Sequence, residues 1–288
     1  MEFPNFFADA ESSYKDADFV IFGVPFDKTS SFRHGSYKAP DSIRNASWNF
    51  ETYNIKTKVD IKDINFHDYG NLDVESLNSK DMVDHVRDFT RKVLKDNKFP
   101  IAIGGEHSIS IGAIQGFPKD TTVLSLDAHL DFRQMYENNI YNHACVTKRI
   151  SEYIEISNIA ILGVRSAEQE EYIDAKEKDL FMKDIYIIKE TGFNKILNET
   201  DIYLKNKDIY LTLDIDVIDP AYAPGTATPE PFGLKPIDIF NCIDLYSSRL
   251  VGFDVVEVCP KYDNGQTSLL AAKIIRYIIE RVWFNKLK

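Results

Sequence analysis

Seven short apolar runs punctuate this chain, and most of them do not alternate polar with apolar residues. They are DFVIFGV (18–24), FPIAIGG (99–105), TTVLSLD (121–127), IAILGVR (159–165), DIYIIKE (184–190), DIYLTLDID (208–216) and VGFDVVEV (251–258). A run that is apolar at consecutive positions reads as a strand covered on both faces, the environment of a parallel sheet. Helical spacing lies between the runs. In SKDMVDHVRDFTRKVLKDN, Met82, Val86, Phe89 and Val93 share a face, and Ser79 or Asp81 is placed to cap the start. Further helices are expected over 108–115, 167–178, 236–247 and 268–284. Strand alternating with helix implies βαβ crossovers and an α/β fold with helices on both faces of the sheet. The sequence has no Gly/Ser or Pro-rich linker, no repeat and no low-complexity tract, so residues 1–288 are expected to form a single domain.

In such folds ligands collect in the crevice beyond the carboxyl ends of the strands. Four of those ends carry potential ligands: His107 in GGEHS, Asp127, His129 and Asp131 in LDAHLD, Asp214 and Asp216 in LDIDVIDP, and Glu257 in VVEVCP. Alternate residues of a strand share a face, so Asp127 can converge with His129 and Asp214 with Asp216. Asp131 joins them if the chain curls after the strand ends. An aspartate at a strand end more often caps the next turn or helix, and Asp219, before Pro220, is assigned that role. Gathering two of only six histidines with four aspartates at strand ends exceeds what capping alone requires. Four carboxylates packed together repel one another unless protons or cations compensate them. Two divalent ions would do so. Carboxylate oxygens with imidazoles and no thiolate suit manganese better than zinc, and magnesium usually takes fewer protein ligands.

The net charge of −11 argues against a nucleic-acid partner and against an anionic membrane surface, and favours a small cationic ligand. The three cysteines are widely spaced and support neither a disulfide framework nor a zinc knuckle, which fits a reducing cytoplasm. The acidic, proline-interrupted start MEFPNFFADAESSYKD is unlike a signal peptide, and no apolar run approaches the ~20 residues needed to span a bilayer. A cytoplasmic protein without a membrane partner is expected.

GGEHSIS, SLDAHLDFR and LTLDIDVIDPAYAPGTATPEPFGL resemble, in order and spacing, three signature segments of the ureohydrolases, the family of arginase, agmatinase and their relatives. With SFRHGSYKAPDSIR before them and VGFDVVEVCPKYD after, the resemblance runs over most of the chain. It implies a three-layer α/β/α arginase-like fold around a mostly parallel sheet, and two manganese ions per chain. One ion would be held by His107, Asp127, Asp131 and Asp214, the other by Asp127, His129, Asp214 and Asp216. A guanidinium carbon is a poor electrophile, and water bridging two cations roughly 3.5–4 Å apart can attack it as hydroxide near neutrality. By the same resemblance His143, in YNHACV, protonates the leaving amine, and Glu257 receives the guanidinium through charge-assisted hydrogen bonds. A homo-oligomer, trimer or hexamer, is also implied.

Arginases resemble one another in a Ser/Asn-bearing loop that grips the α-carboxylate and α-amino groups. Here the corresponding stretch, FRQMYENNIYN (132–142), has no serine or threonine, and APGTATPEP looks like agmatinase. The expected reaction is therefore agmatine to putrescine and urea, a step of polyamine biosynthesis. The distal ammonium would meet Glu137 or another acid at the pocket mouth, with Arg133 pointing away into a salt bridge. Ala-Cys after His143 and RHGSYKAP near residue 35 depart from the better-known agmatinases, so aminopropylagmatine, guanidinobutyrate and arginine stay open as substrates. A zinc-dependent amide deacetylase has a similar fold but keeps one metal and does not need His107 together with Asp216. An interaction-only relative would not need the ligands at all, and GGEHS lacks the glycine spacing or lysine of a nucleotide loop.

Overall fold

The computed structural model describes residues 4–205 and 207–287. Eight strands form one sheet: β1 (Phe19–Val24), β2 (Phe66–Asn71), β3 (Phe99–Gly104), β4 (Thr122–Leu126), β5 (Ile159–Val164), β6 (Phe181–Asp184), β7 (Ile209–Asp214) and β8 (Leu250–Val256). Their order across the sheet is β2-β1-β3-β8-β7-β4-β5-β6, and every pairing is parallel. Among the described residues the helices are α1 (Ala39–Ser47), α2 (Ser79–Lys95), α3 (Ile109–Gln115), α4 (Val146–Ser151), α5 (Gln169–Glu177), α6 (Ile185–Thr191), α7 (Phe193–Tyr203), α8 (Pro236–Tyr246) and α9 (Gln266–Val282).

The consecutive apolar residues of each strand divide between two cores. On β1, Phe19 and Ile21 join one cluster while Val20, Phe22 and Val24 join the other. Residues of α1, α6, α7, α8 and α9 close the first, and residues of α2, α3, α4 and α5 close the second. This is the three-layer arrangement expected, and it leaves the carboxyl edge of the sheet for the ligand-bearing residues. Among the described residues no helix is long and apolar enough to cross a membrane.

Six of the seven apolar runs are strands. The exception is DIYIIKE, which forms α6 after the preceding strand ends at Asp184. Asp184 caps that helix, its Oδ1 accepting the Ile187 N–H at 2.9 Å. Ile185 and Ile188 are buried at i, i+3 while Tyr186 and Ile187 are exposed, so the apolar residues follow a helical face that a seven-residue run disguises. The edge strand β2, FHDYGN, has too few apolar residues to announce itself, because an edge strand pairs on one side only. The start of α2 is capped by Asn78, one residue before Ser79 and three before Asp81, its side chain accepting the Asp81 N–H at 3.0 Å.

The two glycines of GGEHS have a packing reason. Gly105 donates its N–H to the Val24 carbonyl at 3.0 Å and accepts the Glu257 N–H at 2.8 Å, so its backbone knits the ends of β1, β3 and β8 together. A Cβ there would lie 1.8 Å from the Phe26 carbonyl oxygen. Gly105→Ala is expected to destabilise the fold by about 3 kcal/mol or more, at or beyond the top of the usual range for overpacking. A urea titration followed by circular dichroism would show this as a lower midpoint with unchanged slope.

Candidate metal centre and active site

The two short acidic motifs at the ends of β4 and β7 solve the same local problem. Asp127 Oδ1 accepts the His129 backbone N–H at 2.6 Å, and Asp214 Oδ1 accepts the Asp216 N–H at 2.9 Å. Each is an Asx turn that occupies one carboxylate oxygen and leaves Oδ2 for other partners. Asp216 Oδ1 takes the Ala128 N–H at 3.1 Å, which locks the two turns together. Capping and convergence are thus done by the same side chains. Asp131 has φ of 51° and Glu257 φ of 63°, in the left-handed region that non-glycine residues seldom occupy. The curl expected after β4 is this left-handed residue.

All six predicted ligands meet. His107 Nδ1 lies 3.1 Å from Asp127 Oδ2, 3.1 Å from Asp131 Oδ2 and 3.5 Å from Asp214 Oδ2. His129 Nδ1 lies 2.9 Å from Asp216 Oδ2 and 3.8 Å from Asp127 Oδ1. Two groups have ligand atoms close enough to share a cation: His107, Asp127 and Asp214, and Asp127, His129 and Asp216. Asp127 belongs to both. Asp214 falls in the first group only, whereas the resemblance gives it a share in each.

The charges in this cluster conflict. Burial, then the neighbouring Asp131, pushes the Asp127 carboxyl up to about 6. Burial, then Asp216 and Asp127, holds Asp214 well above the usual carboxylate range. Burial also works against Asp216, but His129 beside it wins and brings it down to about 2. The imidazoles respond in the opposite sense: against the penalty of burial, Asp127 and Asp131 raise His107 far above an ordinary histidine, and Asp216 raises His129 to about 10. The cluster retains protons because its anions need compensating, and a divalent cation would replace them.

The residues fit such an ion. His107 Nδ1 and Asp127 Oδ2 are buried and only 3.1 Å apart, yet neither has a hydrogen bond of acceptable geometry. Both are aimed at a common third point. His107 Nε2 lies 3.2 Å from Thr212 Oγ1, whose own hydrogen goes to Asp254 at 2.7 Å. Nε2 is therefore the donor to Thr212 and Nδ1 is left as the ligand atom, the outer support that metal-binding histidines usually have.

The cluster forms the floor of a cavity of about 250 Å³, and His143 and Glu257 line it. Glu257 Oε1 accepts the His107 N–H at 2.7 Å, while Oε2 is buried without a partner. Burial, then Glu106, pushes the Glu257 carboxyl well above its ordinary value. Burial, more than any charge, lowers His143, so that it is neutral near pH 7. Asp219 keeps the turn role assigned to it, accepting N–H groups from Ala221 and Gly233 at 2.9 Å each.

Glu137 does not line the cavity. It sits at an exposed turn with φ of 47°, followed by Asn138 with φ of 58°, a geometry that carries its side chain out to solvent. The acids on the wall are instead Glu168 and Glu171, at the start of α5. Arg133 is in the expected salt bridge, 3.2 Å from Glu168 and 3.3 Å from Glu171, but it lines the wall instead of pointing away. Glu168 and Glu171 were legible in principle, since IAILGVRSAEQEE is another strand end running into a helix.

Fold and site define a class, and comparison with known proteins agrees with it. Residues 17–280 match the Arginase family, and the chain belongs to that family. It is 35% identical over 267 residues to an N(1)-aminopropylagmatine ureohydrolase of Thermococcus kodakarensis, covering 91% of this chain and 90% of that one. It is 32% identical over 280 residues to an agmatinase of Bacillus subtilis, covering 95% and 94%. The agmatine ureohydrolase of Thermoplasma volcanium has a similar crystal structure, with a TM-score of 0.93 and 41% identity over 99% of this chain and 97% of that one.

Asp127→Asn keeps the turn, because an amide oxygen can still accept the His129 N–H, but removes a charge common to both ligand groups. Retention of a divalent cation is expected to fall more than about 100-fold, beyond the ~10–100-fold typical of losing an outer-shell partner. Metal counting after dialysis against graded chelator, beside circular dichroism of the metal-free protein, checks this.

Proposed function

We propose that this arginase-family ureohydrolase, agmatinase-like in sequence, hydrolyses agmatine to putrescine and urea with two manganese ions per chain. His107, Asp127, His129, Asp131, Asp214 and Asp216 would hold the ions, and His143 and Glu257 would handle the substrate. The observation that carries the reading is the convergence of four aspartates and two imidazoles below a cavity that Glu257 lines, its buried Oε2 without a hydrogen-bond partner. When bound, the cations supply the Lewis acidity that makes water nucleophilic near neutral pH. Glu257 Oε2 is available to a guanidinium N–H, a charge-assisted contact that fixes the plane of the substrate. His143, neutral at rest, can take up a proton and hand it to the departing amine as the C–N bond breaks.

The wall favours a cationic tail. Arg133 is paired with both Glu168 and Glu171, so one positive charge faces two carboxylates. The surplus is negative, which suits the distal ammonium of agmatine and opposes the α-carboxylate of arginine. Burial, then Asp131, pushes the Glu171 carboxyl up to about 7, so an incoming cation would also help keep it ionised. A second reading, aminopropylagmatine, is supported by the similarity to the Thermococcus enzyme that bears that name. Its additional amine would extend past the same acids. The family resemblance further supports one ureohydrolase domain over residues 1–288, assembled as a trimer or hexamer in the cytoplasm and serving polyamine biosynthesis.

Urea release by manganese-loaded protein should rank agmatine above aminopropylagmatine, guanidinobutyrate and arginine in kcat/KM. A preference for arginine overturns the substrate assignment, and no urea from any of the four overturns the activity. In the double variant Glu168→Gln/Glu171→Gln, KM for agmatine should rise about 10-fold, the equivalent of ~1.4 kcal/mol of lost attraction. KM for guanidinobutyrate, which ends in a carboxylate, should fall. Equal shifts for both compounds would remove these acids from the recognition of the tail.

A further inference from the structure

Glu106 is fully buried beside His107, yet it belongs to neither ligand group and does not line the cavity. Donors from a distant loop fill both of its oxygens. Oε1 accepts from Thr29 Oγ1 at 2.6 Å and from Ser108 Oγ at 2.5 Å. Oε2 accepts the Thr29 backbone N–H at 2.7 Å and lies 3.5 Å from Ser30 Oγ. Thr29 in turn abuts His143. Its Oγ1 accepts the His143 backbone N–H at 3.0 Å and lies 3.3 Å from His143 Nδ1. On the other side of the ring, Ser31 Oγ lies 3.4 Å from Nε2.

Counting hydrogens fixes the ring. A threonine hydroxyl has one hydrogen and two lone pairs. The hydrogen goes to the Glu106 carboxylate, the nearer and stronger acceptor. Both lone pairs then face His143. One takes the backbone N–H, and the other makes a hydrogen bond with Nδ1 only if Nδ1 carries the proton. We propose that Glu106 and Thr29 are positioning residues that hold His143 as its Nδ1-protonated tautomer, leaving Nε2 as the basic nitrogen beside Ser31 at the cavity wall. The inference rests on reading His143 as the proton donor to the leaving amine, and it states which nitrogen does the work. Nε2 gains the proton and loses it again, while Nδ1–H stays on Thr29 throughout, so the ring neither flips nor changes tautomer between turnovers.

The test has a structural and a kinetic arm. With ¹⁵N-labelled histidine and magnesium as a diamagnetic substitute for manganese, His143 should show a protonated Nδ1 and an unprotonated Nε2 at neutral pH. Thr29→Val should give mixed tautomers, and Thr29→Ser should restore the single one. With manganese, Thr29→Val is expected to lower kcat about 10- to 100-fold, part of the ~10²–10⁴ carried by a general acid. KM should stay within about twofold, since Thr29 does not line the cavity. Thr29→Ser should recover most of kcat, which a loss of folding alone would not allow. A wild-type ring protonated at Nε2, or a folded Thr29→Val with unchanged tautomer and kcat, overturns the relay. The reading of His143 is tested separately: if His143→Asn keeps full kcat, that reading falls, and the catalytic purpose of the relay falls with it.

Discussion

Four aspartates buried at one edge of a sheet cannot all be ionised unless positive charge is placed among them. That constraint organises the carboxyl edge of this molecule. Burial and crowding push the Asp214 carboxyl well above the usual range and Asp127 up to about 6, His129 holds Asp216 low, and the aspartates raise both imidazoles. No part of this helps the fold. Hydrophobic residues of similar size would pack into the same space without electrostatic penalty, since buried charge is a poor source of stability. Such a concentration of anions makes sense as a receptacle for cations. The protein commits to it through rigid parts: Asx turns that use one oxygen of Asp127 and of Asp214, and a parallel sheet in which β1, β3, β8 and β7 end in register.

The same economy explains how much could be read from sequence. Asp127, His129, Asp214 and Asp216 alternate at strand ends, a spacing that the two-residue period of a strand reads as one face; in the structure β4 stops at Leu126 and β7 at Asp214, and the Asx turns bring each pair together instead. Apolar runs of strand length revealed six of the eight sheet strands. What stayed hidden were features set by neighbours. DIYIIKE has the composition of a strand, and only the cap supplied by Asp184 together with the burial of Ile185 and Ile188 makes it a helix. Glu137 is an acid in the right loop, but its left-handed turn faces solvent. Glu168 and Glu171 reach the cavity because α5 starts at its wall. Local periodicity is written in the sequence, whereas the direction of a loop side chain depends on what the loop packs against.

Two histidines illustrate how buried hydroxyls pass on orientation. Thr212, anchored by Asp254, leaves His107 Nδ1 turned toward the aspartates; Thr29, anchored by Glu106, faces His143 at its Nδ1. In both cases a carboxylate outside the cluster captures the hydroxyl hydrogen, and the oxygen can then only accept from the imidazole. Ser or Thr between a carboxylate and a histidine acts as a polarity inverter: an acceptor on one side becomes an acceptor on the other, one residue further on. A carboxylate in direct contact would fix the ring equally well but would raise its proton affinity more, because the charge would be closer. The hydroxyl allows orientation without that cost in basicity.

Floor and wall of the cavity therefore follow different rules. On the floor, Asp127, Asp214, Asp216 and Glu257 are each fixed by a backbone N–H and His107 by a buried hydroxyl, and substitutions there disturb a network of mutually dependent charges. On the wall, Arg133, Glu168 and Glu171 form an ion-pair group around a residue that can exchange partners, with Glu168 largely solvent-exposed. Screening by water weakens the Arg133–Glu168 pair, so a substrate's own charge can compete for it at modest expense. The chemistry is held by elements that cannot move independently, and the choice among cationic tails is left to side chains that can. A change of wall residues could thus alter the compound accepted while leaving the floor intact.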